Sequence, residues 1–211
     1  DTPALADILR QGLRLRTSQI VQWFPEDTAT TLTINNRKVR VVTHRNTVTY
    51  FLRLPDGAPN GEGFADTGFM SLKRLRAGLV RNMKTVEGAT TYANWSTLVG
   101  TVRAILQRHS TGQTINVHDY DESINGGTHS DHAVTGILAA EASTGLASLM
   151  RYWIDYESRN REPNMTDEQK SDKFAVYGSY MAMMSRYGYN FGYDYAHKNY
   201  LSRGYFREVI P

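Results

Sequence analysis

The sequence predicts a layered α/β domain with a mainly parallel sheet and an added antiparallel hairpin. Short runs rich in β-branched and aromatic residues alternate along the chain with segments whose apolar residues recur at helical spacing. Strands that alternate with helices favour a parallel sheet covered by the helices. The length of 211 residues suits one domain, so we expect a single domain over residues 1–211.

The first third of the chain predicts a helix, a hairpin and a strand in that order. A Thr-Pro pair opens a helix that extends from about residue 4 to residue 22. Two alternating runs flank Asn35-Asn36, a pair that tolerates the left-handed backbone of a tight hairpin turn. Residues 47–54 are β-branched and aromatic, and they end at Pro55-Asp56-Gly57, so they predict a buried strand that leads into a loop.

The rest of the chain predicts alternating helices and strands around one polar loop. We expect helices at about 72–81, 95–108, 133–150 and 173–187, and Thr166 lies near the start of the last one. Strands are expected at 114–118 and 152–156. A glycine-containing loop is expected at 119–128.

Composition excludes several classes of protein. Apolar residues make up 40% of the chain and no low-complexity run appears, which indicates a globular protein. The net charge of +3 comes from scattered basic residues, which argues against nucleic-acid binding, and no apolar run approaches the ~20 residues of a membrane span. The absence of cysteine excludes disulfides and thiolate metal sites but leaves the compartment open, and the first residues lack the pattern of a signal peptide.

Two histidines stand close together between the polar loop and the following helix. The segment Thr128-His129-Ser130-Asp131-His132 follows a predicted strand, and ligands of parallel α/β folds gather beyond the carboxyl ends of strands. Imidazoles three residues apart can project into one cleft and bind Zn²⁺, while Asp131 could orient one of them through its second nitrogen. The alternative is structural, with His129 as a helix cap and His132 as an ordinary first-turn residue.

A complete zinc site is not visible in the sequence. A catalytic zinc usually takes three protein ligands, and the chain has no HExxH motif. His118, at the end of the strand before the loop, is the best internal candidate for a second ligand, although its isolation in the sequence favours a structural role. The candidate site therefore looks incomplete.

Two motifs in order resemble one protein superfamily. The run from His129 to Gly136 resembles the HxDHxxxG element of the PIG-L (LmbE-like) zinc-dependent deacetylases, and Tyr50 to Gly57 (YFLRLPDG) resembles a strand and loop typical of one bacterial and fungal branch. The hairpin near residues 32–39 and the segment from Pro163 to Tyr177 look like the same branch, so the resemblance covers most of the chain. It implies a Rossmann-like fold.

The resemblance also implies roles for individual residues. His132 would be the third zinc ligand, His129 would stabilise the tetrahedral oxyanion, and Asp131 would tune His129 through a hydrogen bond. Asp56 falls where family members place a carboxylate that binds substrate hydroxyls, although an Asp-Gly turn explains it equally well. Some members carry a tyrosine that contacts the oxyanion where this chain has Gly127, which leaves Tyr120 as a substitute for that contact.

One family motif has no counterpart here. In the family, an N-terminal AHPDD(E) motif supplies two zinc ligands and the general base, and this sequence contains no such motif. The resemblance therefore implies an N-terminally incomplete domain, with a separate N-terminal fragment of the same protein as a candidate partner.

The function expected from this resemblance is metal-dependent removal of N-acetyl groups from N-acetylglucosamine-type sugars or glycans, with Zn²⁺ as cofactor. The alternative is a non-catalytic carbohydrate-binding or structural protein that keeps the fold. The branch includes exported members, which makes secretion a possibility that these residues do not decide.

Overall fold

The computed structural model describes residues 28–44, 46–109, 112–186, 188 and 199–210. The described residues form two compact units, Thr28–Ser158 with residues 205–210 in one and Arg159–Gly204 in the other. The helix predicted over residues 4–22 lies outside the described residues. All of the candidate site residues belong to the first unit.

The first unit contains eight described strands and three α-helices. The strands are β1 (Thr28–Ile34), β2 (Arg37–His44), β3 (Thr47–Phe51), β4 (Met83–Lys84), β5 (Thr91–Tyr92), β6 (Gln113–His118), β7 (Ala147–Trp153) and β8 (Phe206–Val209). The helices are α1 (Leu72–Arg76), α2 (Trp95–Gln107) and α3 (Ser130–Ser143), and short 3-10 helices cover Ala65–Thr67 and Tyr156–Asn160. A further helix, α4 (Asp167–Arg186), lies in the second unit.

The predicted hairpin is confirmed. Asn35 and Asn36 both take positive φ angles, 48° and 58°, which give the turn a twist that matches the flanking strands. β1 pairs antiparallel with β2, with Ile34 opposite Arg37, and β3 then pairs antiparallel with the other edge of β2. This three-stranded sheet leads directly into the Pro55-Asp56-Gly57 loop.

The sheet that carries the candidate site is mixed. β6 and β7 pair in parallel, and β8 pairs antiparallel with β7. Among the described strands this is the one parallel pair, so the chain is mixed α/β, while the mainly parallel, Rossmann-like layering is not confirmed. The helix predicted to extend to residue 150 ends at Ser143, because Gly145 takes a left-handed conformation (φ 69°), after which β7 begins. The strand predicted at 152–156 accordingly lies at Ala147–Trp153.

Helix α3 packs very closely against the end of β6. A Cβ atom built on Gly136 would lie 2.4 Å from the carbonyl oxygen of His118, so only glycine permits this approach. The other side of the helix enters a core that it shares with α1 and α2, formed by Leu72, Leu75, Met83, Tyr92, Leu98, Val134 and Leu138. This packing places the first turn of α3 at the carboxyl end of β6.

In the second unit, α4 begins with a reciprocal cap. Gln169 N donates to Thr166 Oγ1 at 3.2 Å, and the Gln169 side chain accepts from Thr166 N at 2.9 Å. The predicted helix start near Thr166 is confirmed. Of the helices that the structure describes, none has the length and apolar character needed to cross a membrane.

Candidate functional site

The site lies where the loop after β6, the loop after β7 and the start of α3 meet. Asn125 joins the two loops, because its side-chain nitrogen donates to Asp119 O (2.9 Å) and its oxygen accepts from Asp155 N (3.1 Å). Asn125 and Asp119 are both fully buried. Arg207 on β8 closes this framework with two hydrogen bonds to the Asp119 carboxylate, at 2.7 and 2.8 Å. These buried polar contacts fix the backbone on which the site is built.

Asp155 is the centre of the first group of side chains. Its Oδ2 accepts from Thr128 Oγ1 at 2.7 Å and lies 3.0 Å from His132 Nδ1 and 3.2 Å from His118 Nδ1. Its Oδ1 accepts from the backbone N–H of Tyr156 at 2.5 Å. The side chain of Asp155 is 13% exposed, so these contacts replace most of its hydration.

The donors around Asp155 keep it ionised. Burial by itself raises the pKa of this carboxyl, but the contacts from His118, His132, Thr128 and the Tyr156 backbone outweigh burial and hold its pKa well below the ordinary value. The negative charge is therefore a permanent feature of the group at neutral pH.

The two imidazoles of this group stack on each other. The ring centroids of His118 and His132 are 4.2 Å apart with an angle of 9° between the planes. His118 Nδ1 is buried but makes no well-aligned hydrogen bond, so it is an atom that a proton or a cation would satisfy. His118, for which the sequence favoured a structural role over a ligand role, thus lies against the predicted zinc ligand.

His129 and Asp56 form the second group together with Asp131. His129 Nε2 lies 3.7 Å from Asp56 Oδ1, and the nitrogen and carboxylate atoms of all three side chains lie within 4.8 Å of one another. Asp131 Oδ2 accepts from Gly57 N at 2.7 Å, which ties the start of α3 to the loop after β3. Burial raises the pKa of Asp131, and its Oδ1 is buried without a hydrogen-bond partner.

The hydrogen bonds assign opposite tautomers to the two motif histidines. His129 is the N-cap of α3, and its Nδ1 accepts from Asp131 N at 3.2 Å, so its proton is placed on Nε2, facing Asp56. His132 Nδ1 faces the ionised Asp155 and therefore carries the proton, which leaves the lone pair on Nε2. One imidazole is a hydrogen-bond donor toward the Asp56 side, and the other is a potential metal ligand.

Both groups have the chemistry to hold a divalent cation. The first offers His118, His132 and Asp155, and the second offers Asp56, His129 and Asp131. Nitrogen and carboxylate donors suit Zn²⁺, but they also suit other transition metals. The unsatisfied atoms at His118 Nδ1 and Asp131 Oδ1 fit the presence of a cation or proton close by.

The structure brings together the residues that the sequence singled out, with one change of partner. Asp56, His129 and His132 share one region, and the His129 and His132 rings are 5.4 Å apart. The carboxylate of Asp131 hydrogen-bonds Gly57 N, and it is the backbone N–H of Asp131 that bonds His129. The helix-cap interpretation of His129 is correct, and the cap leaves Nε2 facing Asp56.

Asp155 is the residue that the sequence analysis missed. It follows β7, which pairs in parallel with β6, so its position beyond a strand's carboxyl end was the available indication. The predicted strand at 152–156 placed Asp155 inside a strand, whereas the observed strand ends at Trp153.

A cavity of about 490 Å³ lies on the neighbouring face of α3. Thr128 and Ser130, on either side of His129, line it together with Asn60, Lys73, Tyr120 and Ile137. Tyr120, considered above as an oxyanion contact, belongs to this cavity and packs edge-on against Tyr152, with centroids 5.3 Å apart. The lining of the cavity therefore combines an aromatic ring, the apolar side chain of Ile137 and several polar groups.

Comparisons with protein-family models, with curated proteins and with solved structures found no significant match. The resemblance to PIG-L deacetylases accordingly remains a prediction from the motifs.

Proposed function

We propose that this protein is a metal-dependent hydrolase that removes N-acetyl groups from N-acetylglucosamine-type sugars or glycans. The observation that carries the proposal is that the two THSDH imidazoles have different partners: His129 Nδ1 lies against Asp131 N, which leaves Nε2 facing Asp56, whereas His132 Nδ1 faces Asp155. Amide hydrolysis with a metal needs a neutral imidazole ligand and a separate donor for the oxyanion, and His132 and His129 match those two requirements.

His132 would hold the cation through Nε2. Its ring is partly exposed, at 29%, and Asp155 fixes the opposite nitrogen. A bound Zn²⁺ would polarise the amide carbonyl and make water a stronger nucleophile near neutral pH. Asp155 supports this ligand from the opposite nitrogen, and His118 stacks against the His132 ring.

His129 would donate from Nε2 to the developing oxyanion. Its backbone and Nδ1 are fixed by the helix cap, so the donor is already oriented before substrate binds. Loss of one such donor typically lowers the rate by ~10²–10³. Asp56, whose side chain is 69% exposed, would accept from sugar hydroxyls beside the reacting group.

The decisive experiment measures acetate release from N-acetylglucosamine and its short oligomers by the zinc-loaded protein. Because the resemblance assigns the general base to the AHPDD(E) motif, the assay is repeated with any N-terminal segment encoded by the same gene. We expect release that a chelator abolishes and zinc restores. His132→Ala should lose bound zinc, whereas His129→Ala should keep zinc and release acetate about 10²–10³-fold more slowly.

His109→Gln is the matched control, because His109 bonds Tyr50 OH (2.9 Å) and belongs to neither group. It should retain both zinc and activity. A folded protein that binds stoichiometric zinc and still releases no acetate from these substrates, with the N-terminal segment present, would refute the proposal. Sugar binding without hydrolysis would then favour the non-catalytic carbohydrate-binding alternative.

A further inference from the structure

We propose that Asp155 is a positioning residue that fixes His132 in the Nδ1–H tautomer and thereby presents its Nε2 lone pair to a divalent cation. This inference rests on the proposed function for the identity of the ligand, but not for the tautomer itself.

The hydrogen bonds around Asp155 define which atom of His132 carries the proton. Asp155 Oδ1 is occupied by the backbone N–H of Tyr156, and Oδ2 receives Thr128 Oγ1 and faces His132 Nδ1 at 3.0 Å. A carboxylate held by so many donors is an acceptor only. His132 Nδ1 must therefore carry the proton, because a lone pair there would face a negative oxygen at hydrogen-bond distance.

The position of Asp155 is set by the backbone rather than by the imidazoles. Asn125, fully buried, accepts from Asp155 N, and the same side chain donates to Asp119 O at the end of β6. These contacts hold the backbone of Asp155 without involving the imidazoles. Partners of this kind orient metal-binding histidines and raise their basicity.

The stacking of His118 on His132 argues against one cation bound directly by His118, His132 and Asp155. An imidazole binds a metal in the plane of its ring, and the planes of His118 and His132 are nearly parallel at a centroid distance of 4.2 Å. Their Nδ1 lone pairs cannot converge on one ion in this arrangement. The Nδ1 atom of His118 instead faces the carboxylate of Asp155, and its ring stacks on one face of the His132 ring.

The test has two readouts that need no substrate. The first is ¹⁵N NMR of the histidine side chains in the metal-free protein at mildly alkaline pH, with His109 as internal reference. The second is zinc affinity by competition with a chelating dye. In the wild-type protein we expect His132 to be protonated on Nδ1.

Asp155→Ala should shift His132 toward a mixture of tautomers and weaken zinc binding by about 10–100-fold. Asp155→Asn preserves the shape of the side chain but keeps only one acceptor oxygen. Because Tyr156 N–H and the other donors compete for that oxygen, His132 is oriented less well, and zinc binding should fall at least about tenfold. If the alanine variant does not fold, the asparagine variant decides. Asp121→Asn, in the loop after β6 and bonded to Ser123, should change neither readout.

A wild-type His132 protonated on Nε2, or zinc binding as tight in both Asp155 variants as in the wild type, would overturn the inference. A protein that shows the expected tautomer and zinc affinities but no deacetylation contradicts the proposed function alone. A protein that binds no zinc contradicts the proposed function, while the tautomer still decides the role of Asp155.

Discussion

Asp155 and Asp131 are both largely buried carboxylates beside an imidazole, yet their surroundings shift them in opposite directions. Asp155 has contacts from two rings, a hydroxyl and a backbone N–H, and its pKa is lowered. Asp131 accepts from one backbone N–H, has an unsatisfied Oδ1, and its pKa is raised. The number of donors, rather than burial alone, decides the direction in which the pKa of each carboxyl shifts.

The comparison also separates two tasks within one site. The Asp155 group supplies a fixed negative charge that orients His132, and the Asp131 contact connects α3 to the loop that carries Asp56. Residue types alone would not distinguish these tasks. The four predictions that follow test the contrast, in order of decreasing effect.

Asp155→Ala should lower the free energy of unfolding by about 1–3 kcal/mol, because it leaves several partly buried donors without an acceptor. The measurement is urea unfolding at pH 7, followed by circular dichroism. Asp131→Ala removes a carboxylate with a single donor, so its effect should be clearly smaller. Equal losses in the two variants would contradict the proposed difference between the groups.

Gly136→Ala should destabilise the protein by about 1–3 kcal/mol, since the new Cβ meets the backbone oxygen of His118 at 2.4 Å. Gly57→Ala also makes a 2.4 Å contact, but with Asp131 Oδ1, the end of a side chain that can turn. The Gly57 variant should therefore lose less stability, although Ser71 Cβ at 2.9 Å prevents complete relief. Urea midpoints of the two variants give the comparison, and a larger loss at Gly57 would show that Asp131 is held as rigidly as a strand.

Local sequence rules predicted the pieces of this fold better than their assembly. The Asn35-Asn36 turn and the Thr166 cap depend on residues close in sequence, and both are confirmed. The sheet around β6 and β7 depends on long-range pairing, including β8 from the end of the chain, and the mainly parallel sheet was not confirmed. The helix boundary at Ser143 was missed because apolar residues continue past Gly145 into β7.

The same distinction explains the candidate site. His129 and His132 are neighbours in sequence and could be found as a motif. Asp155 lies 23 residues beyond His132 and reaches it only through the pairing of β6 with β7. His118 was a candidate because it ends a predicted strand, but its stacking on His132 depends on the close approach that Gly136 permits.

The stability of the protein in acid should show that Asp155 is an anion in the folded state. Because its pKa is lower in the folded than in the unfolded protein, the stability it contributes is complete above about pH 4, the unfolded value, and is lost as the pH falls further toward the folded value. Asp155→Asn has no proton to bind here, so its stability should fall less steeply below pH 4 than that of the wild type. Urea midpoints from pH 7 to pH 2.5 measure the difference, and parallel curves would contradict a lowered pKa.

Asp131→Asn should have the smallest effect and the opposite sign. The pKa of Asp131 is raised by burial, so the folded protein holds its proton longer than the unfolded chain, and stability is lost as the pH rises from about 4 through the folded value. Asparagine keeps an acceptor for Gly57 N without this loss. The variant should therefore match the wild type in acid and exceed it at pH 7 by at most about 1 kcal/mol. A variant that is less stable than the wild type at pH 7 would contradict the raised pKa, because it would mean that the folded protein favours the Asp131 anion.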